Sequence, residues 1–358
     1  MSVGQSRRLG RIVAAFALAL VVLALFVRTV GPGRLARELA GADPRYLILG
    51  SVAAVAAVLV WSEVLRELLV VAVGDATTVR GRRFRLAFLA GEFTKQVLPM
   101  GHASGPAIMA YAVSSTLETE YEETLAVITL ADLLNLVASL LLAAAGLVVI
   151  VTTGGSRAPG LRLFAASLVA ATAAVTVAVV LVTARRATLV RVVRLLAGAF
   201  HGTAGRAVPR LRPSLEPTTV DRKLASYFRT FDAVAADRLR VLAAAGLAVV
   251  GWLCYAAPLY FAALALEVSV APALALFLVP MAGLATWFPL PGGLGGVEVA
   301  VAAGLVGVAG VGVGTAAAVA LCYRLCAYWV VIAVDGVGAV SVLLGGREEG
   351  ESTVPVEQ

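Results

Sequence analysis

Charge is what this sequence has least of. Asp, Glu, Lys and Arg make up 14% of 358 residues, against about a quarter in a soluble domain. Residues AVILMFWYC fill 60% of it and the mean hydropathy is +0.94. So few charges cannot cover a water-facing surface, which excludes the pair of soluble domains that the length would suggest. Histidine occurs twice and cysteine three times. Cys254, Cys322 and Cys326 all lie in apolar runs without metal-ligand spacing and read as small hydrophobes, so no metal and no cofactor is expected. A Ser/His/Asp set and a carboxylate pair with an obvious cleft are missing too, and no residue is assigned as catalytic. Lysine is nearly absent: 27 of the 29 basic residues are Arg, and the net charge is +7. These cations sit between apolar segments, which points to anionic inner-leaflet headgroups and not to nucleic acid.

What is present is a series of long apolar runs. A bilayer core about 30 Å thick takes roughly 20 apolar residues per helix. Six full spans are expected, at about 12–30, 46–61 (with a continuation to 73 as the longer reading), 123–151, 163–182, 241–266 and 315–344. The first, behind Arg7, Arg8 and Arg11, is too long for a signal-peptide core and reads as a retained helix. Two further segments, 84–113 and 272–314, are broken by Pro and Gly and read as re-entrant or hairpin elements. The fold class is therefore all-α, a polytopic membrane bundle forming one domain over 1–358. Its first half is 11–151 and its second 241–344, with a basic loop at 184–240 and an acidic, disordered tail at 345–358.

Charge placement sets the orientation. The 184–240 stretch holds 12 basic and 4 acidic residues, so it belongs in the cytoplasm, as do both termini of this multi-pass cell-membrane protein. Both ends of the first broken segment then face the cytoplasm and both ends of the second face outward. The halves become an inverted repeat, and paired Gly/Pro-interrupted segments in such halves point to a transport site. Within the basic loop, residues around 185–200 and 224–234 read as amphipathic helices on the inner leaflet; a solvated connector is an equal reading of the first.

The most informative stretch runs Phe288-Pro289-Leu290-Pro291-Gly292-Gly293-Leu294-Gly295-Gly296-Val297-Glu298. Its prolines stop one helix and its glycines allow a backbone with positive φ. A new helix begins near Val297, and its amides offer an anion-binding end where a phosphate headgroup could dock; Glu298 capping that helix is the plainer alternative. Pro291, Gly292, Gly293, Gly295, Gly296 and Glu298 are therefore candidate substrate-binding residues. Arg324, Asp132 and His102 join them, because ionisable groups deep in a bilayer usually mark a pathway. Glu92 and Lys95 stand at i, i+3 spacing and read as a pair of their own. Glu267 reads as an interfacial loop charge and Asp335 as a wetter, structural one. Pro99 and Asp132 are separated by the same 33 residues as Pro291 and Arg324, which leads to the expectation that Asp132 and Arg324 pair near mid-membrane.

Pro289 to Glu298 followed by Tyr323-Arg324 resembles the lysylphosphatidylglycerol synthase transmembrane family of flippase-like proteins. Gly91-Glu92-Phe93, Leu98-Pro99-Met100-Gly101 and Asp132 resemble its N-terminal motif. Family members commonly carry Gly-Glu and a following Arg after the first break; here Gly105 is followed by Pro106, with no basic residue through Leu117. The resemblance implies a non-enzymatic flippase or transporter of a phospholipid or polyprenyl-linked lipid. The alternatives are a membrane-embedded transferase using Glu298, Asp132 or His102 as acid or base, or an accessory subunit of a partner synthase or glycosyltransferase.

Overall fold

The computed structural model describes residues 17–18, 21–74, 76–79, 81–98, 101–153, 161–207, 216–287 and 290–351. Their regular structure is all helical. Helix α1 (Val21–Val30) and the short α2 (Pro32–Ala40) lead into α3 (Pro44–Val73), a single turn α4 (Ala76–Val79), and the first broken segment, α5 (Arg82–Val97) with α6 (Gly101–Leu117). Helix α7 (Tyr121–Thr152) closes the first half. Three helices join the halves: α8 (Leu161–Ala184), α9 (Arg186–Ala207) and α10 (Pro217–Ala236). The second half has α11 (Arg238–Ala265), the second broken segment, α12 (Pro272–Gly283) with α13 (Gly296–Ala309), and α14 (Val313–Arg324). A π-helical turn, Leu325–Val330, carries α14 into α15 (Val331–Glu351). Local chemistry sets these limits. The Asp43 carboxylate accepts from the Arg45 amide at 2.8 Å to start α3, Pro44 fixes its first turn, and Gly74 ends it at φ 72°.

Five described helices are long and apolar enough to cross a membrane: Pro44–Val73, Tyr121–Thr152, Arg238–Ala265, Pro291–Ala309 and Val313–Ser341. Four of these match expected full spans, and the fifth is the returning arm of the second broken segment. The expected spans at 12–30 and 163–182 are described as shorter apolar helices, Val21–Val30 and Leu161–Val177. Helix α15 continues to Glu351, seven residues into the stretch read from sequence as a disordered tail; residues 352–358 lie outside the described residues.

The two halves repeat at a constant offset. Val73 and Ala265, Leu117 and Ala309, and Tyr121 and Val313 are helix limits, and each pair is 192 residues apart. Glu118 and Gly310, again 192 apart, both hold positive φ at the ends of α6 and α13. Packing obeys the same exchange: α5 lies on α15 as α12 lies on α7, and α6 lies on α7 as α13 lies on α14. Helices α3 and α11 run antiparallel about the exchange axis. The Asp43 amide donates to the Ala265 carbonyl at 2.8 Å, Gly50 meets Pro258, Gly251 meets the Trp61 ring, and Arg240 meets Glu67 at 2.9 Å. Two glycines let the crossed pairs close. A Cβ on Gly338 would lie 2.5 Å from Leu89 Cβ, and one on Gly146 would lie 2.5 Å from the Ala273 carbonyl oxygen. These glycines, too, are 192 apart.

Ion pairs gather one set of helix ends on a single face. Arg85 reaches Glu63 at 3.1 Å, Arg240 reaches Glu67, Lys223 reaches Glu122 at 2.5 Å and Arg229 reaches Glu123 at 3.6 Å. Both ends of the first broken segment therefore share a face with α10. On the opposite face α2 covers the start of α14, with Leu35 buried against Ala317 and Ala318. The stretch between the first two expected spans thus contains an amphipathic helix. Helix α10 also differs from the sequence reading of a leaflet-bound helix. Its Phe231 and Val234 are buried among α7 and α3 residues, so protein and not lipid takes up that apolar face. Arg186 of α9 holds Asp232 of α10 at 2.6 Å, and this hydrogen bond keeps the Asp232 carboxyl below its ordinary range.

Gly338→Leu and Gly146→Leu are each expected to cost about 1–3 kcal/mol through overpacking. Gly246→Leu, with nothing within 4 Å of the new Cβ, should be near neutral. Thermal unfolding of the purified chain in detergent reads all three.

Candidate functional site at the junction of the broken segments

The arms of the broken segments are short. They contain 16 and 17 residues in α5 and α6, and 12 and 14 in α12 and α13. At 1.5 Å per residue these arms are about 18–26 Å long, and with its tip turn the returning arm of the second extends over Pro291–Ala309. Within each segment the arms run antiparallel, with Gly91 against Met109 and Gly304 against Leu278. Both segments are therefore hairpins that enter the bundle from opposite ends, and their tips meet. The end of α5 packs on the turn Pro291–Gly293, and α6 packs on the turn Leu284–Trp287.

The second tip is built on glycine. Gly292, Gly293 and Gly295 take φ of 54°, 63° and 83°, and a Cβ on Gly292 would fall 2.2 Å from the Tyr328 ring. Only glycine fits both the conformation and the space. Arg324 closes the tip from α14. Its Nη2 donates to the Gly292 carbonyl at 2.8 Å and its Nε to Glu298 Oε1 at 2.9 Å, while its guanidinium lies 4.1 Å over the Tyr328 ring. The other carboxylate oxygen, Glu298 Oε2, accepts from the Gly295 amide at 2.7 Å. Glu298 and Arg324 are 1% and 3% exposed. Of the two sequence readings for this helix start, the cap is therefore the one realised. The protein's own carboxylate occupies the place considered for a phosphate, and the tip is packed by Arg324, Tyr328 and Val22.

The first tip is arranged differently. Helix α5 ends at Val97 and α6 begins at Gly101, so Pro106 sits inside α6. Lys95 Nζ lies 2.8 Å from Glu92 Oε1, the pair anticipated from their spacing, and 3.9 Å from Asp132 Oδ1. Its stem crosses Gly105, where any Cβ would lie 2.7 Å from Lys95 Cε. Asp132 keeps 41% of its side chain accessible. Gln96 Nε2 donates to Asp335 Oδ2 at 2.6 Å, and Asp335 is 0% exposed. Far from being a wetter charge, Asp335 is sealed between α5 and α15. Pro99 and the side chain of His102 lie outside the described residues, although His102 is in the first turn of α6.

The expected Asp132–Arg324 pair does not form. Asp132 faces Lys95 and Arg324 faces Glu298, each within its own half. Their equal spacing from a proline records equivalence under the 192-residue repeat, and equivalent positions touch only if they lie on the exchange axis. Of the residues singled out in the sequence, the structure brings Pro291, Gly292, Gly293, Gly295, Gly296, Glu298 and Arg324 together at the second tip. Sequence reasoning missed Tyr328 and the contact of Gln96 with Asp335, which no periodicity signals.

The model of one protein family, the lysylphosphatidylglycerol synthase transmembrane region, matches residues 12–334. The chain belongs to that family. No curated protein and no solved structure matches the chain. As a lysylphosphatidylglycerol synthase transmembrane region, it carries both broken segments, both tips and the Glu298–Arg324 clamp inside the matched residues.

Arg324→Gln should destabilise by about 3–5 kcal/mol, because it leaves Glu298 buried without its counter-charge. Glu298→Gln should cost a similar amount, and the double variant less than the sum. Asp132→Asn shares no partner with Arg324, so its loss should simply add to that of Arg324→Gln. Denaturant unfolding of the three single variants and the two double variants with Arg324→Gln measures this, and coupling between positions 132 and 324 would contradict the observed pairing.

Proposed function

We propose that this protein moves a phospholipid or polyprenyl-linked lipid across the cell membrane without altering it chemically. The observation that carries this reading is the tip-to-tip meeting of two broken hairpins that enter from opposite ends of an inverted repeat. Such a junction can be exposed to either side by small displacements of one hairpin against the other. Membership of a lipid-related membrane family supports the substrate class. A cavity of about 600 Å³ at the foot of the first hairpin supports it further: its lining carries Arg66, Arg82 and Arg85 against the single carboxylate Glu63, which pairs with Arg66 and Arg85, together with the apolar Val79, Phe84 and Leu86. That combination suits an anionic headgroup attached to acyl chains. An acid or base role for Glu298 is disfavoured by geometry, since both its oxygens are already hydrogen-bonded. In this reading the basic-loop face and both termini are cytoplasmic, and a separate synthase or glycosyltransferase supplies the substrate.

Full-length protein in vesicles containing headgroup-labelled phosphatidylglycerol should bring inner-leaflet label within reach of an external quencher. Gly293→Leu, which forces a side chain into positive φ against Thr286, should slow this at least about tenfold if the tip must move, with folded protein retained. Recovery of a covalently changed lipid would favour the transferase reading instead.

Orientation is tested separately. A cysteine at Glu267, exposed in the turn after α11, should react with an impermeant maleimide on intact cells, whereas one at Ala225 of α10 should react only after lysis. The opposite pattern would invert the topology.

A further inference from the structure

Three charged-type side chains are fully buried among the described residues: Glu298, Arg324 and Asp335. The first two neutralise each other. Asp335 forms no ion pair among the described residues, and its Oδ1 meets no hydrogen-bond partner there. Its single contact of this kind is the amide of Gln96 on Oδ2. Every neighbouring element leaves it without a counter-ion. On α5, Lys95 is already held by Glu92 and approached by Asp132 of α7, so one ammonium serves a region with three carboxyl groups. On α3, Glu63, Arg66 and Glu67 are tied to one another and to Arg85 and Arg240 at the basic-loop face. From α11 the ionisable neighbour is Tyr255, and the π-helical turn brings Tyr328, which faces Arg324. An ionised carboxylate with one amide contact and no cation is strongly disfavoured away from water, whereas the neutral acid carries its proton on the otherwise unpartnered oxygen.

We propose that Asp335 is a proton-binding site, loaded while the first hairpin is docked on α15 and emptied when that contact opens, so that hairpin movement is coupled to a proton. The placement makes the coupling mechanical. Gln96 is the penultimate residue of α5, at the tip where the two hairpins meet, and Gly338 brings α15 against the same helix one turn beyond Asp335. Lifting the α5 tip removes the Gln96 contact and opens Asp335 to water, where a carboxyl group ionises at neutral pH. The bound species is a proton and the step is a simple dissociation. This proposal rests on the transport reading for its coupling, though not for the site.

Two measurements on the full chain in lipid vesicles test it. Infrared spectra at neutral pH should contain the C=O stretch of a protonated carboxylic acid, lost in Asp335→Asn and kept in Asp132→Asn; identical spectra for wild type and Asp335→Asn would overturn the site. With headgroup-labelled phosphatidylglycerol as the probe, an imposed pH gradient should change the wild-type rate several-fold and leave the Asp335→Asn rate unaffected. An equal response in both proteins would overturn the coupling. If wild-type vesicles move no label at all, the transport reading fails and takes the coupling with it, while the infrared band still decides whether Asp335 holds a proton.

Discussion

A bilayer offers no hydrogen bonds, so a helix interrupted inside it has to find partners for its freed backbone groups within the protein. The rest of this architecture follows from that requirement. Breaking the second hairpin frees the Gly292 carbonyl and the Gly295 amide, and the protein answers with one cation and one anion. Arg324 takes the carbonyl, Glu298 takes the amide, and the two side chains then neutralise each other. Removing either one leaves both a bare charge and a bare peptide group. The clamp also explains why glycine fills the tip, since Tyr328 stacks where any side chain at position 292 would stand.

The first hairpin carries different residues at the equivalent places. Under the 192-residue offset, Pro106 stands where the second half has Glu298, and Asp132 stands where it has Arg324. Both members of the clamp are therefore missing from the first half. Pro106 lacks an amide hydrogen and sits inside α6, five residues after its start. Lys95, from the arm before the break, supplies the cation instead. The departure from the family pattern after Gly105 is thus a departure from the protein's own second half. The result is an asymmetric pair of tips, one sealed by a mutual ion pair and one with a half-open carboxylate beside a sealed acid.

The elements legible from sequence were those encoded by long apolar runs and by Pro/Gly clusters, because bilayer thickness and backbone freedom act on every residue in them. That covered the bundle, the two breaks and the cluster from Pro291 to Arg324. The short helix α2 was missed because nine residues between Pro32 and Ala40 carry several charges and no apolar run. The α10 face was assigned to lipid because an amphipathic pattern does not say what covers it. Asp335 was misjudged for a related reason: depth along a helix can be counted, but the neighbour that seals it lies 239 residues away on Gln96. The Asp132–Arg324 expectation failed more instructively, since the equal spacing was real and described a symmetry operation, not a contact.

The π-helical turn after Arg324 gives that symmetry its limit. Between Asp132 and Gly146, helix α7 is α-helical throughout, whereas Leu325–Val330 interrupts the equivalent path from Arg324 to Gly338. A π turn takes up about one residue more than an α turn, and one residue is about 100° of rotation at 3.6 residues per turn. Sighted from the glycine that seats each helix on the opposite hairpin, Asp132 and Arg324 therefore point roughly a quarter turn apart. The halves share their spacing and differ in phase, which gives a nearly two-fold scaffold a front and a back.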